Sequence, residues 1–187
     1  PARQGAVLTQ LEAVSHATVP SHTETRSEAL QGRQEIYYCI GGEGTIISGG
    51  SEQAIRAGYA ALIPPDVTFS MRNSTSGPLE FYLWTEPVPA GFSPRKDILV
   101  KNIETVQFSD TPGHWTNYTR PIFTTADGLA LLTGFSEVLM YPMTIAQMHA
   151  SRPVGTDVVW IAVEGDIYTQ LGKKLYHMEP GMGFKNP

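Results

Sequence analysis

The sequence predicts an all-β protein, and three observations carry that reading. Runs of β-branched and aromatic residues recur at intervals of about 8 to 12 residues, each closed by Gly, Pro or Asp, the rhythm of a sandwich or small barrel. No stretch keeps a helical apolar period, and the best helical candidate, 9–14, is one short turn. Of 187 residues, 18 are Gly, 14 are Pro and only 17% are charged, against about a quarter charged in an average chain. Long solvent-facing helices need more charge than this, and turns need the Gly and Pro. With 41% hydrophobic residues the chain has enough apolar surface to order a core.

Taken in order, 35–40 is a β-branched and aromatic run broken by Gly41-Gly42-Glu43-Gly44. A strand resumes over 45–48, turns at Gly49-Gly50-Ser51 and returns over 53–57. Gly58 turns again, 59–63 runs into Pro64-Pro65-Asp66, and 69–72 and 79–84 complete the series. Prolines 87, 89, 94, 112 and 121 then bracket short pieces such as 97–106, a connector texture. Strands are expected again over 129–132, 137–141, 145–149, 158–163, 167–170 and 174–177. The two β blocks share a plan of strand, Gly/Glu turn, hairpin and Gly–x5–Pro. Gly58–x5–Pro64 matches Gly181–x5–Pro187, a repeat with a period of about 123 residues. The domains read as 1–87, a connector over 88–121, and 122–187.

Composition also excludes partners. Thirteen Lys and Arg against eighteen Asp and Glu give a net charge of −5, and no basic block exceeds Lys173-Lys174. The electrostatic footprint of a nucleic-acid binder is missing. No apolar run approaches the roughly 18 residues of a membrane helix. The single Cys39 rules out an intrachain disulfide framework and fits a reducing, cytoplasmic setting. Within 36–40 it reads as a small buried hydrophobe rather than a nucleophile. Asn73 and Asn117 begin Asn-x-Ser/Thr triplets, a pattern common by chance. The start at Pro1 without Met suggests that an N-terminal piece is absent. No phosphate-cradling Gly loop opens a helix, and no nucleophile elbow or Cys/His pairing is present.

The chain resembles the cupin superfamily, whose first motif runs Gly–x5–His–x–His–x3–4–Glu–x6–Gly and whose second runs Gly–x5–Pro–x–Gly–x2–His–x3–Asn. Glu35–x6–Gly42 is similar to the end of the first motif. Gly58–x5–Pro64–x–Asp66–x2–Phe69–x3–Asn73 keeps every spacing of the second. The resemblance implies two tandem jelly-roll β-barrels, a bicupin, with the second barrel incomplete at the C-terminus. Asn186-Pro187 stops it between its hairpin and its closing strands, so the natural chain is expected to continue. In the family, the two His and the Glu of the first motif and the His of the second bind a divalent metal. Here Glu28-Ala29-Leu30-Gln31 stands where the His pair belongs and Phe69 stands at the last His, so only Glu35 survives of four. Zinc, iron and manganese sites need at least three protein donors, so no cofactor is expected in the first barrel. His22 and Glu24 would reach the site only through a loop insertion, and a surface turn at Pro20-Ser21 is the favoured reading. In the second block Val158 aligns with the Glu position and Asp157 is one residue off. One residue flips a strand side chain to the other face. A divalent metal there would need His149 plus donors the sequence does not show. His114, His149 and His177 all have bland structural readings as well.

Without the metal, a jelly-roll keeps an inward pocket built from alternate strand residues. Glu35, Tyr37 and Cys39 share one face, and Phe69, Met71 and Asn73 another. The expected ligand pocket is Glu35, Tyr37, Phe69 and Met71 in the first barrel, with His149 and Trp160 in the second. A carboxylate among Tyr, Phe and Met walls is pushed upward by desolvation and suits general acid or base work. It can equally bond Tyr or Arg partners, with Arg33, Arg56 and Arg72 available, and only close the barrel; the two readings stand level. Three functions follow: binding of a small organic metabolite such as a sugar acid or aromatic; a metal-dependent dioxygenase, decarboxylase or isomerase centred in the second barrel; or an assembly module, since the resemblance implies a homodimer. The first is preferred for the N-terminal barrel, and Glu35 is the one catalytic candidate.

Overall fold

A computed structural model describes residues 7–110, 117–146 and 156–186. Strands dominate, and the helical pieces among the described residues are two 3₁₀ turns, Ile103–Thr105 and Thr125–Asp127. No helix among the described residues is long and apolar enough to cross a membrane. The chain forms two compact units, one of Glu12–Gln147 and one of Pro1–Leu11 with Met148–Pro187.

The larger unit holds β1 (Ala13–Val19), β2 (Thr23–Glu24), β3 (Glu28–Ala29), β4 (Arg33–Gly41), β5 (Glu43–Ser48), β6 (Ser51–Arg56) and β7 (Tyr59–Ile63). After these come β8 (Thr68–Asn73), β9 (Leu79–Pro87), β10 (Leu99–Asn102), β11 (Ser109–Asp110), β12 (Asn117–Thr124) and β13 (Gly134–Met140). One five-stranded sheet runs β1-β9-β4-β7-β10; a second runs β2-β8-β5-β6, with β3 also on β8. Between them lies a continuous core that includes Tyr37, Cys39, Ile46, Ile55, Ile63, Phe69, Met71, Leu79 and Phe81. All six strands expected between residues 35 and 84 are present.

Chain passage from one sheet to the other explains the glycines. β4 shifts register between Cys39 and Gly41, a bulge just before its last pair with β9, Gly41 with Glu80, from which the chain turns toward β5. At Gly42 φ is 76°, and a Cβ there would sit 2.1 Å from the Pro78 carbonyl oxygen. No other residue fits both restraints.

β4 shows no alternation of burial, because Gln34 through Cys39 are all buried. Its inner side chains face the second sheet. On the other face Tyr38, with Trp84 of β9, packs against Phe135 of β13, at ring-centroid distances of 6.4 and 4.8 Å. A strand buried on both faces reads as a continuous apolar run, as 35–40 does. Glu86, fully buried on β9, anchors the covering layer. Its carboxylate accepts from Gln34 Nε2 at 2.8 Å and from the amides of Ala130, Leu131 and Leu132 at 3.1, 2.9 and 2.8 Å.

That capture corrects one strand expectation: 129–132 is a turn wrapped on a carboxylate, not a strand. The candidate helix at 9–14 is also absent, since β1 begins at Ala13. Within 88–121, β10 pairs with β7 and extends the first sheet. Neither Asn-x-Ser/Thr triplet offers an open amide. Asn73 is fully buried, donating to the carbonyls of Val19 and Gly77 and accepting from Thr75, and Asn117 is 4% exposed.

The smaller unit holds β14 (Val158–Ile161) paired with β17 (Gly183–Asn186), and β15 (Ile167–Leu171) paired with β16 (Lys174–Met178). Asp157 ties its two chain segments together. Its carboxylate accepts from the amides of Thr9, Gln10 and Leu11 at 2.8, 2.6 and 2.8 Å and from the Thr9 hydroxyl at 2.7 Å. Lys185 Nζ lies 3.0 Å away. Burial pushes the Asp157 carboxyl up, but these donors outweigh it and hold the group well below the usual carboxylate range.

Candidate functional site

A cavity of about 370 Å³ opens in the larger unit, lined by Glu28, Ala29, Leu30, Gln31, Arg33, Glu35, Tyr37 and Leu83. Three layers of sequence build it. β4 sends Arg33, Glu35 and Tyr37 to one face by the two-residue period. β9 runs antiparallel beside it, with Thr85 opposite Glu35 and Leu83 opposite Tyr37. The short β3 and the turn after it lay 28–31 across the mouth, held where Glu28 pairs with Phe69 and Ala29 with Thr68 on β8.

Glu35 is the polar centre. The Tyr37 hydroxyl donates to its Oε2 at 2.8 Å and the Thr85 hydroxyl to its Oε1 at 3.2 Å. The residue is 9% exposed. Burial pushes its carboxyl above the ordinary value of 4.5; the two hydroxyls act against that, Glu28 adds to it and Arg33 opposes it. Burial and the adjacent Glu35 drive the Tyr37 phenol upward, so it stays neutral and donates. Tyr37 cannot swing away easily, because its ring meets Phe69 and Phe81 edge-on at 6.3 and 5.4 Å. Such a carboxylate can bind a donor or exchange a proton at a site with apolar walls.

Of the residues expected to line a pocket, Glu35 and Tyr37 do so. Phe69 and Met71, each 2% exposed, lie in the core. Trp160 belongs to the smaller unit, stacked on Phe184 at 6.5 Å. His149 and His114 lie outside the described residues. Cys39 is fully buried, its thiol pushed up by burial to about 12, as suits a small hydrophobe. Arg56 lies over the Tyr59 ring and Arg72 pairs with Glu52 at 2.7 Å, which leaves Arg33 as the guanidinium at the cavity.

The lining residues missed from sequence are Glu28–Gln31 and Leu83, with Thr85 behind Glu35. The first four occupy the stretch aligned with the missing His pair, a position that pointed to the site even without its chemistry. Leu83 and Thr85 depend on the β4–β9 register, which no local pattern reports.

The donor set does not fit the metal of the cupin motif. Phe69 fills its position with a phenyl ring inside the core, and Ala29 and Leu30 offer no side-chain donor. Among the described residues no three His, Cys, Asp or Glu side chains stand together as a metal site. His22 sits exposed on a turn with φ of 56°, and Glu24 accepts from the Ser70 hydroxyl at 2.9 Å.

The cupin domain model matches residues 15–86, which hold the second sheet, most of the first apart from β10, and every residue that lines the cavity. A glyoxylate-induced protein from Pseudomonas aeruginosa shares the fold, with a TM-score of 0.74 and 17% identity, over 94% of this chain. This chain spans 66% of that protein, just under two thirds. Protein Ylba from E. coli is similar over 98% of this chain and 79% of its own length, with a TM-score of 0.54 and 11% identity. No curated protein matches in sequence. The matched domain, the two-sheet core and the spacing of its Gly–x5–Pro turn make residues 15–86 similar to a cupin domain.

Proposed function

We propose that the cavity beside Glu35 binds a small organic metabolite, and that binding there does not use the metal of the cupin motif. The carrying observation is a buried carboxylate, fixed by two hydroxyls, that lines a cavity of about 370 Å³. That volume lies at the small end of ligand pockets, which run from about 300 to 1,000 Å³. Ala29, Leu30 and Leu83 offer apolar wall, while Glu28, Gln31, Arg33 and Glu35 offer polar contacts, the mixture small-molecule sites use. Sugars, sugar acids and aromatic metabolites are the classes to screen first.

Thermal unfolding in the presence of each compound tests the reading. A binder raises the midpoint in proportion to its concentration over Kd. Ala29→Trp, which fills the cavity from β3, is expected to abolish the shift while leaving the unliganded midpoint within a few degrees. A ligand that stabilises Ala29→Trp as well as the parent protein binds elsewhere and refutes the proposal.

A further inference from the structure

We infer that the ligand of this cavity is a small protonated amine, whose ammonium group seats on Glu35 while its carbon frame lies on Ala29, Leu30 and Leu83. The inference deepens the proposed binding function and rests on it. Its basis is the balance of charge around one buried group. Glu28 and Glu35 line the cavity against a single cation, Arg33, and the Arg33 guanidinium is itself turned toward Glu12, 3.7 Å away. A carboxylate ligand would place another negative charge beside Glu35 with only a shared guanidinium to meet it, and an under-compensated buried charge costs several kcal/mol.

Hydrogen-bond capacity points the same way. An ionised carboxylate only accepts, with about four lone-pair sites over its two oxygens. Glu35 uses one for the Tyr37 hydroxyl and one for the Thr85 hydroxyl. The remaining capacity calls for donors, and an ammonium brings three with no acceptor. Gln31 at the mouth can meet a second polar end.

The charge on Glu35 sets the pH behaviour. The groups facing it are Arg33 and Tyr37 from its own strand, Glu28 from β3, and the uncharged Thr85 from β9, while β7 presents Ile63. Desolvation favours the protonated form, which cannot pair with an ammonium. Amine binding therefore strengthens as pH rises through the Glu35 titration, and it displaces the proton.

Three compounds on one frame test this by calorimetry with the full chain: aminobutanol, butanediol and hydroxybutanoate. Aminobutanol is expected to bind at least about tenfold tighter than hydroxybutanoate near neutral pH. Glu35→Gln should level the two. Glu28→Gln, at an exposed position whose loss spares the core, should cut the preference by about two- to threefold, and Arg33→Met should widen it. Tighter binding of hydroxybutanoate, an amine preference that survives Glu35→Gln, or no aminobutanol binding at about 10 mM overturns the inference. Acid binding blocked by Ala29→Trp would overturn only the amine and leave the cavity a binding site. Binding of any of the three that ignores Ala29→Trp would overturn both.

Discussion

The two units of the chain are held together by different physics. In Glu12–Gln147 the strand β4 is buried on both faces, by the second sheet on one side and by Phe135 on the other. In the smaller unit two pairs of strands leave Tyr168, Leu175 and Tyr176 exposed at 67, 65 and 43%. Two-stranded sheets have little stability alone, and there the conspicuous restraint is polar: one aspartate holding three amides, a hydroxyl and a lysine. Apolar burial makes a unit cooperative, whereas a polar clamp fixes one segment and can be released without the rest. The cavity belongs to the unit with the continuous apolar core, where Glu35 can be held desolvated.

The largest test of that contrast is in the core. Phe81 is fully buried and packs edge-on against Tyr37. Phe81→Ala is expected to cost about 3 to 5 kcal/mol, lowering the denaturant midpoint of the whole larger unit in one transition. Loss of only the β9 signals, with the other strands intact, would show that the unit is not cooperative. Next comes Glu86→Ala, which leaves the amides of Ala130, Leu131 and Leu132 without their acceptor. The expected loss is about 3 kcal/mol, with faster hydrogen exchange at those three amides. Unchanged exchange there would deny the carboxylate its role in seating the covering layer.

Smaller and more local is Asp157→Ala, expected to cost about 2 kcal/mol. Its signature is exchange at the amides of Thr9, Gln10 and Leu11 with little change in the larger unit. Because the folded-state carboxyl is held low, its stabilisation is present above the ordinary carboxylate range and is lost as pH falls through the depressed value. The three amides should therefore stay protected in mild acid and lose protection only in strong acid. Loss of protection already near the ordinary value of 3.8 would contradict the clamp.

The same contrast governs what the sequence reveals. The strands between 35 and 84 were legible because each is a β-branched run bounded by glycine or proline, and those turns are local. Glu35 and Tyr37 were legible as cavity residues from a two-residue period and a resemblance in spacing. Phe69 and Met71 share the barrel interior with them, but sequence cannot say which inward residues fill the core and which leave it open. That depends on how β3 crosses the mouth, set by a two-residue pairing with β8. Long-range polar contacts were wholly hidden. Nothing near Glu86 marks it as the acceptor for a turn some 45 residues later, and a run as apolar as 129–132 reads as a strand until that acceptor is known.

The smallest effect is the one most specific to the cavity. The folded-state carboxyl of Glu35 lies above its ordinary value of 4.5, so its contribution to stability is fully present below that value and is lost as pH rises through the raised one. Glu35→Gln removes the titration while keeping the side chain's length and an acceptor for one of the two hydroxyls. Relative to this variant, the parent protein should lose ground as pH rises from about 4 toward about 8. Denaturant midpoints of both proteins across that range measure the difference. A difference that stays flat with pH would place Glu35 in water rather than against apolar walls, and a difference that grows with pH would mean that Arg33 dominates the site. A fall confined to the parent protein identifies a carboxylate whose ionisation the fold opposes, the condition under which an incoming cation gains most from meeting it.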